Sequence, residues 1–407
     1  MRIIVQKFGG TSVASPENRE LVVGKIAKAQ EQGFQSVVVV SAMGRKGDRY
    51  ATDTLIDLAR GTCKGVNSRE LDLMMCCGEI ISAVVMAGTL QAAGIDAVVL
   101  TGGQAGIMTD NNFSSARIQK IDTARILSLL EMGKTPVVCG FQGITAGGEL
   151  TTLGRGGSDT TASALGAALN AQMVEIYTDV DGIMTADPRV VDNARILDVI
   201  SYSEVCQLAH QGAKVIHPRA VEIAMQKSIP LIVKSTFSDM PGTLITNIGK
   251  EDGSGALVED RIAAGVTSLL NIAQIRVKLA ASASQEAGFT VFRSMSDNKI
   301  SVDLINVFPD QIMFTVGQDM MEKAAETLCT LGFEVDVVPG CAKVSVVGGG
   351  MREVPGVMAS FVEALALNGI SILQTVDSNA SISVLVRQEF ATKAVQALHE
   401  KFGLSHP

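Results

Sequence analysis

A lysine, two glycines and two hydroxyl side chains stand together near the start of the sequence, in an arrangement suited to binding phosphate. Residues 7–12 read Lys-Phe-Gly-Gly-Thr-Ser, after an apolar run at 3–5 that predicts a buried strand and before a predicted helix over 16–33 that Ser15 can cap. Glycines let a ligand approach the backbone, and the amides at a helix start attract anions. The pattern predicts a phosphate-binding turn; a lysine beside an ordinary tight turn is the alternative.

A second glycine-rich turn stands at the start of another predicted helix. It reads Thr-Leu-Gly-Arg-Gly-Gly-Ser-Asp-Thr over 152–160, and a strongly helical stretch follows at 162–170. Arg155 can hold a carboxylate or a phosphate through two parallel hydrogen bonds. Asp159 falls in the first helical turn, where the helix dipole favours its charge, and simple capping is the alternative interpretation. An arginine and an aspartate in a second turn of this kind exceed what capping requires.

The two turns need a scaffold that brings them together. The sequence predicts strands at 36–40, 97–100, 136–141, 174–177 and 229–234, and helices from 52, at 71–93 and at 116–132. Alternating strands and helices predict a mainly parallel sheet with helices on both faces, in which ligands bind beyond the carboxyl ends of the strands. We therefore expect the loops after Val5, Val40, Leu100 and Cys139 to converge on one crevice.

The carboxyl-terminal part of the chain contains a weak internal duplication. Strand, helix and strand are predicted at 275–279, 285–296 and 300–303, and again at 343–347, 355–367 and 370–373. A further strand, at 312–316 or 382–386, and a helix follow in each copy, which gives a βαββαβ arrangement twice. Before the first copy, residues 239–255 are polar and rich in Gly and Pro, which predicts a linker.

The composition excludes several classes of protein. Of the 407 residues 47% are hydrophobic, and the net charge of −8 comes without a cluster of Lys and Arg, which argues against nucleic acid as a partner. The uncharged stretch at 80–95 is too short to span a membrane. Seven cysteines without a Cys-x-x-Cys pair, and no signal peptide, predict reduced thiols in a cytoplasmic protein. His210 and His217 lack a third ligand, so we expect no metal site built from protein side chains.

The two glycine-rich motifs together resemble those of the aspartokinases, in the amino-acid-kinase superfamily. Further motifs similar to the family's follow in the same order: Gly78-Glu79, Gln104-Ala105-Gly106, Gly140-Phe141-Gln142-Gly143, Asp179-Val180-Asp181-Gly182, Thr185-Ala186-Asp187-Pro188-Arg189 and Gly212-Ala213-Lys214. The duplicated tail resembles tandem ACT modules. The resemblance implies an α/β, mainly parallel-sheet kinase domain over 1–245, a linker over 246–260, and ferredoxin-like ACT domains over 261–337 and 338–407.

The resemblance also implies an activity, the phosphorylation by ATP of the side-chain carboxylate of L-aspartate to 4-phospho-L-aspartate. This is the first step toward lysine, diaminopimelate, threonine and methionine. On the aspartate side, Ser41 and Thr52 would help to hold the substrate, Glu79 would take its ammonium group and Arg155 its α-carboxylate. The substrate-binding turn would continue through Gly156, Gly157 and Ser158.

On the nucleotide side, the resemblance places Lys7 at the transferring phosphoryl group, with Phe8, Gly9 and Gly10 beside the phosphates. Asp159 would organise the lysine and the metal-bound phosphates. The residues that would surround the rest of ATP are Thr178, Asp179, Met184, Arg189 and Lys214. Mg²⁺ is expected as a cofactor held largely by phosphate oxygens and water.

ACT pairs in this family bind an end-product amino acid at their interface, so we expect an allosteric amino acid as a partner and a homo-oligomer formed through the ACT domains. Residues 348–356 keep the family's Gly-x-Gly-Met…Pro-Gly loop, whereas 284–288 depart from the usual Asp-x-Pro-Gly. Details elsewhere look most like the diaminopimelate-sensitive class, with lysine and threonine as the other candidates. Two different functions stay open, namely a related kinase for glutamate or carbamate and a catalytically inactive amino-acid sensor.

Overall fold

The computed structural model describes residues 1–213, 215–247, 261–279, 284–351 and 354–406. These residues form two compact units. The first contains Met1–Ile183, Ile196–Ala209 and the described residues of 215–247, and the second contains Met184–Arg195, His210–Ala213 and the described residues from 261 onward. The second unit therefore includes a short segment, 184–195, that comes from the middle of the first unit's sequence.

The first unit alternates strands and helices. Its strands are β1 (Ile3–Phe8), β2 (Gln35–Val40), β3 (Ala97–Leu100), β4 (Ile107–Thr109), β5 (Ile118–Ile121), β6 (Thr135–Cys139), β7 (Gln142–Thr145), β8 (Leu150–Thr152), β9 (Met173–Thr178), β10 (Val199–Ser201), β11 (Leu231–Ser235) and β12 (Thr243–Thr246). Its helices are α1 (Pro16–Glu31), α2 (Thr52–Thr62), α3 (Ser68–Ala92), α4 (Ala124–Glu131), α5 (Gly157–Ala168), α6 (Tyr202–His210, whose last residue belongs to the second unit) and α7 (Pro218–Lys227).

Eight of these strands form one sheet, in the order β10-β12-β11-β9-β1-β2-β6-β3, and β5-β4-β7-β8 form a second, smaller sheet. In the large sheet β1 pairs in parallel with β2 and with β9, and β12 runs antiparallel to β11. All six residues of β1 are buried, as expected for a central strand covered on both faces. The predicted mainly parallel sheet is confirmed, and β1 places Lys7 close to its carboxyl end.

The helix starts follow from capping chemistry. Helix α1 begins at Pro16, and the Ser15 Oγ accepts a hydrogen bond from the Asn18 amide at 3.2 Å. In α3 the side chain of Asn67 accepts from the Glu70 amide in the same way. Helix α3 has 25 residues and is apolar enough, by length and composition, to cross a membrane, but half of its most apolar stretch is buried inside the protein. A core helix has the same length and hydropathy, and two acidic residues of α3 are buried as well.

Two sequence predictions in the first unit are wrong. The single helix predicted over 116–132 is a strand, β5, followed by α4, because 118–121 pair with β4 and the Asp122 carboxylate accepts from the Ala124 amide at 3.1 Å, which starts the helix later. The linker predicted over 239–255 contains β12, in which Thr243 and Ile245 are buried between β10 and β11. Residues 248–255 of this predicted linker lie outside the described residues, as do residues 248–260 of the linker over 246–260 that the resemblance implies.

The second unit is built on a six-stranded antiparallel sheet in the order β14-β15-β13-β16-β18-β17. The strands are β13 (Gly265–Lys278), β14 (Asp303–Val307), β15 (Gln311–Gly317), β16 (Glu334–Val347), β17 (Gln374–Ser378) and β18 (Ser381–Arg387). The helices are α8 (Ser284–Asp297), α9 (Met321–Thr330), α10 (Val357–Leu367) and α11 (Ala391–Lys401). The strands predicted at 300–303 and 370–373 therefore begin later, at Asp303 and Gln374.

Two long strands are shared by both copies of the duplicated unit. In β13 the second half packs Ile275 and Val277 with α8 and α9, whereas Val266 of the first half packs in the core of the second copy with Val344 and Phe361. The strand passes from one core to the other at Asn271, whose φ is +59°. The pairing of β13 with β16 shifts register at the same place. Each copy thus obtains a strand from the same continuous ribbon, and the two copies form one sheet.

Candidate active site

The lysine of the first turn and the aspartate of the second meet in the first unit. The Lys7 Nζ lies 2.7 Å from the Asp159 Oδ1, and both side chains are largely buried, with 11% and 14% of their surface exposed. Lys7 comes from the central strand β1 and Asp159 from the first turn of α5. Two loops that are distant in sequence therefore face each other, and the pair is an ordered cation and anion inside a cleft.

The start of α5 depends on a glycine that no other residue can replace easily. Gly156 has φ +68°, in the left-handed region, and a Cβ added there would lie 2.3 Å from the Cβ of His217. The close approach lets α7, which begins just after His217, pack against α5. As a result the backbone reverses directly after Arg155 and the amides at the start of α5 become available at the cleft.

A similar constraint holds the first turn against the loop that follows β2. A Cβ on Gly10 would lie 2.6 Å from the carbonyl oxygen of Ala42, and the Gly44 amide donates to the Gly10 carbonyl oxygen at 3.0 Å. This contact fixes the relative position of the lysine turn and the loop that begins at Ser41. Both loops follow neighbouring parallel strands, which is where ligands bind in sheets of this kind.

Glu79 is a buried carboxylate whose charge is only partly compensated. Its residue is 2% exposed, one oxygen accepts from the Ala42 amide at 3.2 Å, and the other, Oε2, has no hydrogen-bond partner among the residues that the structure describes. Burial raises the pKa of Glu79 to about 8, and the hydrogen bond from Ala42 opposes that shift. A carboxylate in this state is expected to bind a cation that restores its charge balance.

These side chains line one cavity of about 310 Å³. The lining residues are Lys7, Gly10, Ser41, Ala42, Gly44, Arg45, Lys46, Ala51, Thr52, Asp53, Glu79, Phe141, Gly154, Arg155, Gly156, Gly157, Ser158 and Asp159. Loops after β1, β2 and β6 contribute to it, whereas the loop after Leu100, which we expected at the same crevice, does not. The cavity is lined by both cationic and acidic side chains. Such a lining can bind an anion and a zwitterion side by side.

Arg155 is exposed and unpaired, whereas the other cationic side chains of the cavity, on Lys7, Arg45 and Lys46, are each paired with a carboxylate. Within the described ranges it has no hydrogen-bond or ion-pair partner, although the backbone on both sides of it is ordered by β8 and α5. A guanidinium held at its base and free at its tip is suited to a bidentate contact with a carboxylate.

Other residues predicted on the nucleotide side do not line this cavity. Phe8 is buried and stacks on Tyr177, with ring centroids 4.7 Å apart. The Gly9 amide donates to the Tyr177 carbonyl oxygen at 3.2 Å, and the predicted contact of Gly9 with the phosphates stays a prediction. Thr178 donates to Asp179, and Asp179 forms an ion pair at 2.5 Å with Arg45, which does line the cavity.

Two further residues predicted at the nucleotide lie in the second unit, and a third is not described. Met184 and Arg189 belong to the second unit, where the Arg189 guanidinium forms an ion pair with Asp187 at 2.7 Å and lowers the pKa of that carboxyl. Lys214 lies outside the described residues. Their predicted roles at the nucleotide stay predictions.

The structure adds residues to the cavity that the sequence reasoning missed, notably Arg45, Lys46 and Asp53. Their signal was present in the sequence, because Arg45 and Lys46 lie in the polar loop after the predicted Ser41, and Asp53 follows the predicted Thr52 in the first turn of α2. Surface loops often carry such charges, so their types alone do not indicate a site. Within the described ranges no group of three or more His, Cys, Asp and Glu could hold a metal ion.

Family comparisons match both parts of the chain. Residues 2–235 match the amino acid kinase family and residues 336–400 match the ACT domain. The fold and the site therefore define an amino acid kinase with a carboxyl-terminal ACT region.

Individual relatives narrow that class. The chain is 47% identical over 405 residues to Aspartokinase 1 of Bacillus subtilis (strain 168), with 100% of both sequences covered. It is similar to the structure of E. coli aspartokinase III in complex with lysine and aspartate (T-state), with a TM-score of 0.76 and 25% identity over 98% of this chain and 99% of that one. The same enzyme with aspartate and ADP (R-state) gives a TM-score of 0.78 at 24% identity, over 98% of this chain and 99% of that one, which supports the fold. The chain belongs to the aspartokinases of the amino acid kinase family.

Proposed function

We propose that the cavity of the first unit is where this aspartokinase transfers the γ-phosphoryl group of ATP to the side-chain carboxylate of L-aspartate, which yields ADP and 4-phospho-L-aspartate. The observation that carries the proposal is that one cavity is lined by the Lys7–Asp159 pair, by the buried Glu79 and by the unpaired Arg155. The acceptor is already a carboxylate, so the reaction needs no general base. Catalysis then depends on positioning two anions and neutralising their charge.

On the aspartate side, Glu79 accepts the ammonium group and Arg155 binds the α-carboxylate. Support comes from the buried Oε2 of Glu79 and from the guanidinium of Arg155, neither of which has a partner in the described part of the chain. Ser41 and Thr52 hold the substrate from the loop after β2 and from the start of α2, and 156–158 contribute at the start of α5. The amino-acid head group is thereby held at both ends, and the side-chain carboxylate is left free to react.

On the nucleotide side, Lys7 neutralises the transferring phosphoryl group and Asp159 holds the lysine in place. Gly10 lines the cavity and can admit a phosphate close to the backbone. Mg²⁺ fits this arrangement as an ion carried in by ATP, since the Asp159 carboxylate of the cavity can supply an oxygen ligand and the described residues show no three-residue metal cluster. When bound, the ion would neutralise charge on the phosphates.

The rival substrates make distinct predictions. A glutamate kinase must accommodate a longer side chain between the same head-group contacts, and carbamate has neither an ammonium group nor an α-carboxylate for Glu79 and Arg155. Release of ADP should therefore be measured with MgATP and aspartate, glutamate or carbamate in turn. We expect turnover with aspartate; turnover with carbamate alone would contradict the proposal, and no turnover with any acceptor would favour the inactive amino-acid sensor.

The second unit is proposed to regulate this activity through an end-product amino acid, with diaminopimelate as the first candidate and lysine and threonine as the others. Support comes from the ACT match and from the two copies that share one antiparallel sheet. Assembly of a homo-oligomer through this unit belongs to the same proposal, as does a cytoplasmic location, which is consistent with seven free cysteines. Titrating the three amino acids against activity tests it, and inhibition by lysine alone would overturn the choice of diaminopimelate.

A further inference from the structure

Asp72 is a fully buried carboxylate that plays no part in the site described above. It lies on α3 with 0% of its surface exposed, and in the described part of the chain it has no ion-pair partner. Four donor groups surround it instead. The Ser114 amide and hydroxyl donate to it at 2.9 and 3.2 Å, and the Thr152 amide and hydroxyl donate at 2.7 and 2.9 Å.

The stretch that Asp72 holds leads directly to Arg155. Thr152 ends β8, and the next residue, Leu153, donates through its amide to the Phe141 carbonyl oxygen at 2.8 Å. The carbonyl oxygen of Leu153 accepts from the Arg219 Nη1 at 2.7 Å. The backbone before Arg155 is therefore fixed from three sides, and Arg155 is the first charged side chain beyond the fixed part.

The loop around Ser114 braces the same stretch. Ser114 adopts φ +67°, in the left-handed region, and the Ala116 amide donates to the Thr152 carbonyl oxygen at 2.9 Å. The Arg219 Nη2 donates to the carbonyl oxygen of Ala116 at 2.9 Å. Because Asp72 binds both Ser114 and Thr152, it ties this loop to the end of β8. A strained residue persists only where the surrounding contacts determine its conformation.

Helix α3 carries Glu79 as well, seven residues after Asp72 and hence on the same face two turns further on. One rigid helix therefore bears the group assigned to the substrate ammonium and the group that holds the loop of Arg155. We infer that Asp72 is a positioning residue that fixes Arg155 at a set distance from Glu79, so that the cavity selects the head group of an α-amino acid. This inference rests on the proposed function of Arg155.

The charge of Asp72 strengthens its contacts. Two of its partners are backbone amides, which can only donate, and the other two are hydroxyls. An amide at position 72 would keep one acceptor oxygen, direct N–H groups at the remaining partners and replace charge-assisted hydrogen bonds by weaker neutral ones. The end of β8 and the Ser114 loop would then move apart by a fraction of an ångström, and Arg155 would move with them. The phosphate turn at Lys7, which has no contact with Asp72, would stay in place.

The test is a double-mutant cycle on the full chain with D72N, R155A and the combined variant. D72N and R155A should each raise the KM for aspartate about tenfold or more, since misplacing a positioning group costs one to two orders of magnitude, while the KM for ATP changes less than about twofold. In the combined variant the rise should equal that of R155A alone, because Asp72 acts through Arg155. E70Q, an acid-to-amide change on the exposed side of the same helix, is the matched control and should change neither constant.

The outcomes separate this inference from the function on which it rests. If R155A leaves the KM for aspartate unchanged, the proposed role of Arg155 fails. If R155A raises it but D72N does not, or if the two effects multiply in the combined variant, the positioning role of Asp72 is overturned. Should D72N not fold, T152V removes only the hydroxyl bond to Asp72 and keeps the backbone bond. It should then raise the KM for aspartate about threefold and have no further effect in the R155A background, since a single neutral hydrogen bond contributes modestly; an unchanged KM in T152V overturns the inference.

Discussion

At the scale of single residues, the chemistry of this protein comes from charges that the fold leaves partly uncompensated. Glu79 is buried with one oxygen lacking a partner, and Arg155 is exposed without a counter-ion in the described ranges. Under the proposed function, a zwitterionic amino acid supplies the missing charges of both. Lys7, in contrast, is already paired with Asp159, so it is held in place before any phosphate arrives.

The raised pKa of Glu79 predicts a pH dependence of aspartate binding. With a pKa of about 8 in the free protein, Glu79 is mostly protonated at pH 7, whereas under the proposed function the ammonium group of aspartate binds the ionised form. Each pH unit below 8 should therefore raise the KM for aspartate about tenfold, and the KM should level off above pH 8. Initial rates measured from pH 6.5 to 9 check this. The E79Q variant should bind aspartate more weakly, with a KM that does not change with pH. Parallel plots of KM against pH for the two proteins would contradict the role of Glu79 in binding the ammonium group.

At the scale of secondary-structure elements, the site exists because helix and strand ends approach each other more closely than side chains usually allow. Gly156 begins α5 with a left-handed φ directly against His217. The same contact fixes the direction of Arg155 on one side and of Asp159 on the other. The geometry of α5 relative to α7 is therefore part of the catalytic arrangement.

G156A is predicted to damage activity and stability together. Alanine is strained at φ +68°, and its Cβ would clash with His217, so the loss in the free energy of unfolding should exceed the 1–2 kcal/mol that a left-handed residue costs by itself, with kcat/KM falling about tenfold or more. The matched control is G133A, which has φ +74° but open space around its Cβ. Thermal unfolding and initial rates should show the strain in both variants and the loss of activity only in G156A. Equal activity in the two would contradict this account.

Much of the fold was predictable at this scale because the determinants are local. Ser15 and Pro16 specify the start of α1, and continuous apolar runs specify β1 and β2. Predictions failed where pairing with distant strands decides the structure, as at 118–121 and 243–246. The glycine-rich turns pointed to Lys7 and Arg155. Asp72 gave no signal, because an acidic residue on a helix is usually solvated and its four donors come from distant segments.

At the scale of the whole molecule, the two units are interleaved in sequence. Residues 184–195 lie within the stretch that matches the amino acid kinase family, yet Ala186 and Val191 pack in the core of the second ACT copy. The Thr185 hydroxyl hydrogen-bonds the Nε2 of the buried His399 at 2.9 Å, and it accepts from the Arg195 amide. Met184 and Arg189, which the resemblance to the aspartokinases places at the nucleotide, are in this same segment, and that role stays a prediction.

T185V is predicted to loosen the segment without touching the cavity of the first unit. It leaves His399 and the Arg195 amide without their shared partner, which should lower the free energy of unfolding by about 1–3 kcal/mol. The KM for ATP should rise while the KM for aspartate stays unchanged, because the assigned nucleotide residues are the ones displaced. T327V, which loses an exposed hydroxyl bond within α9, is the control for denaturation and kinetics. A rise in the KM for aspartate with an unchanged KM for ATP would contradict a role of residues 184–195 in nucleotide binding.

The most direct test of the central claim is the turnover of K7A with MgATP and aspartate, measured by coupled release of ADP. Removing one group that stabilises charge in the transition state should lower kcat by about 10²–10³-fold, while circular dichroism shows that the variant stays folded. The control is K28A, which removes an exposed lysine on α1 and should keep full activity. A folded K7A protein with near-normal turnover would contradict the account, since the lysine of the first turn would then have no part in phosphoryl transfer.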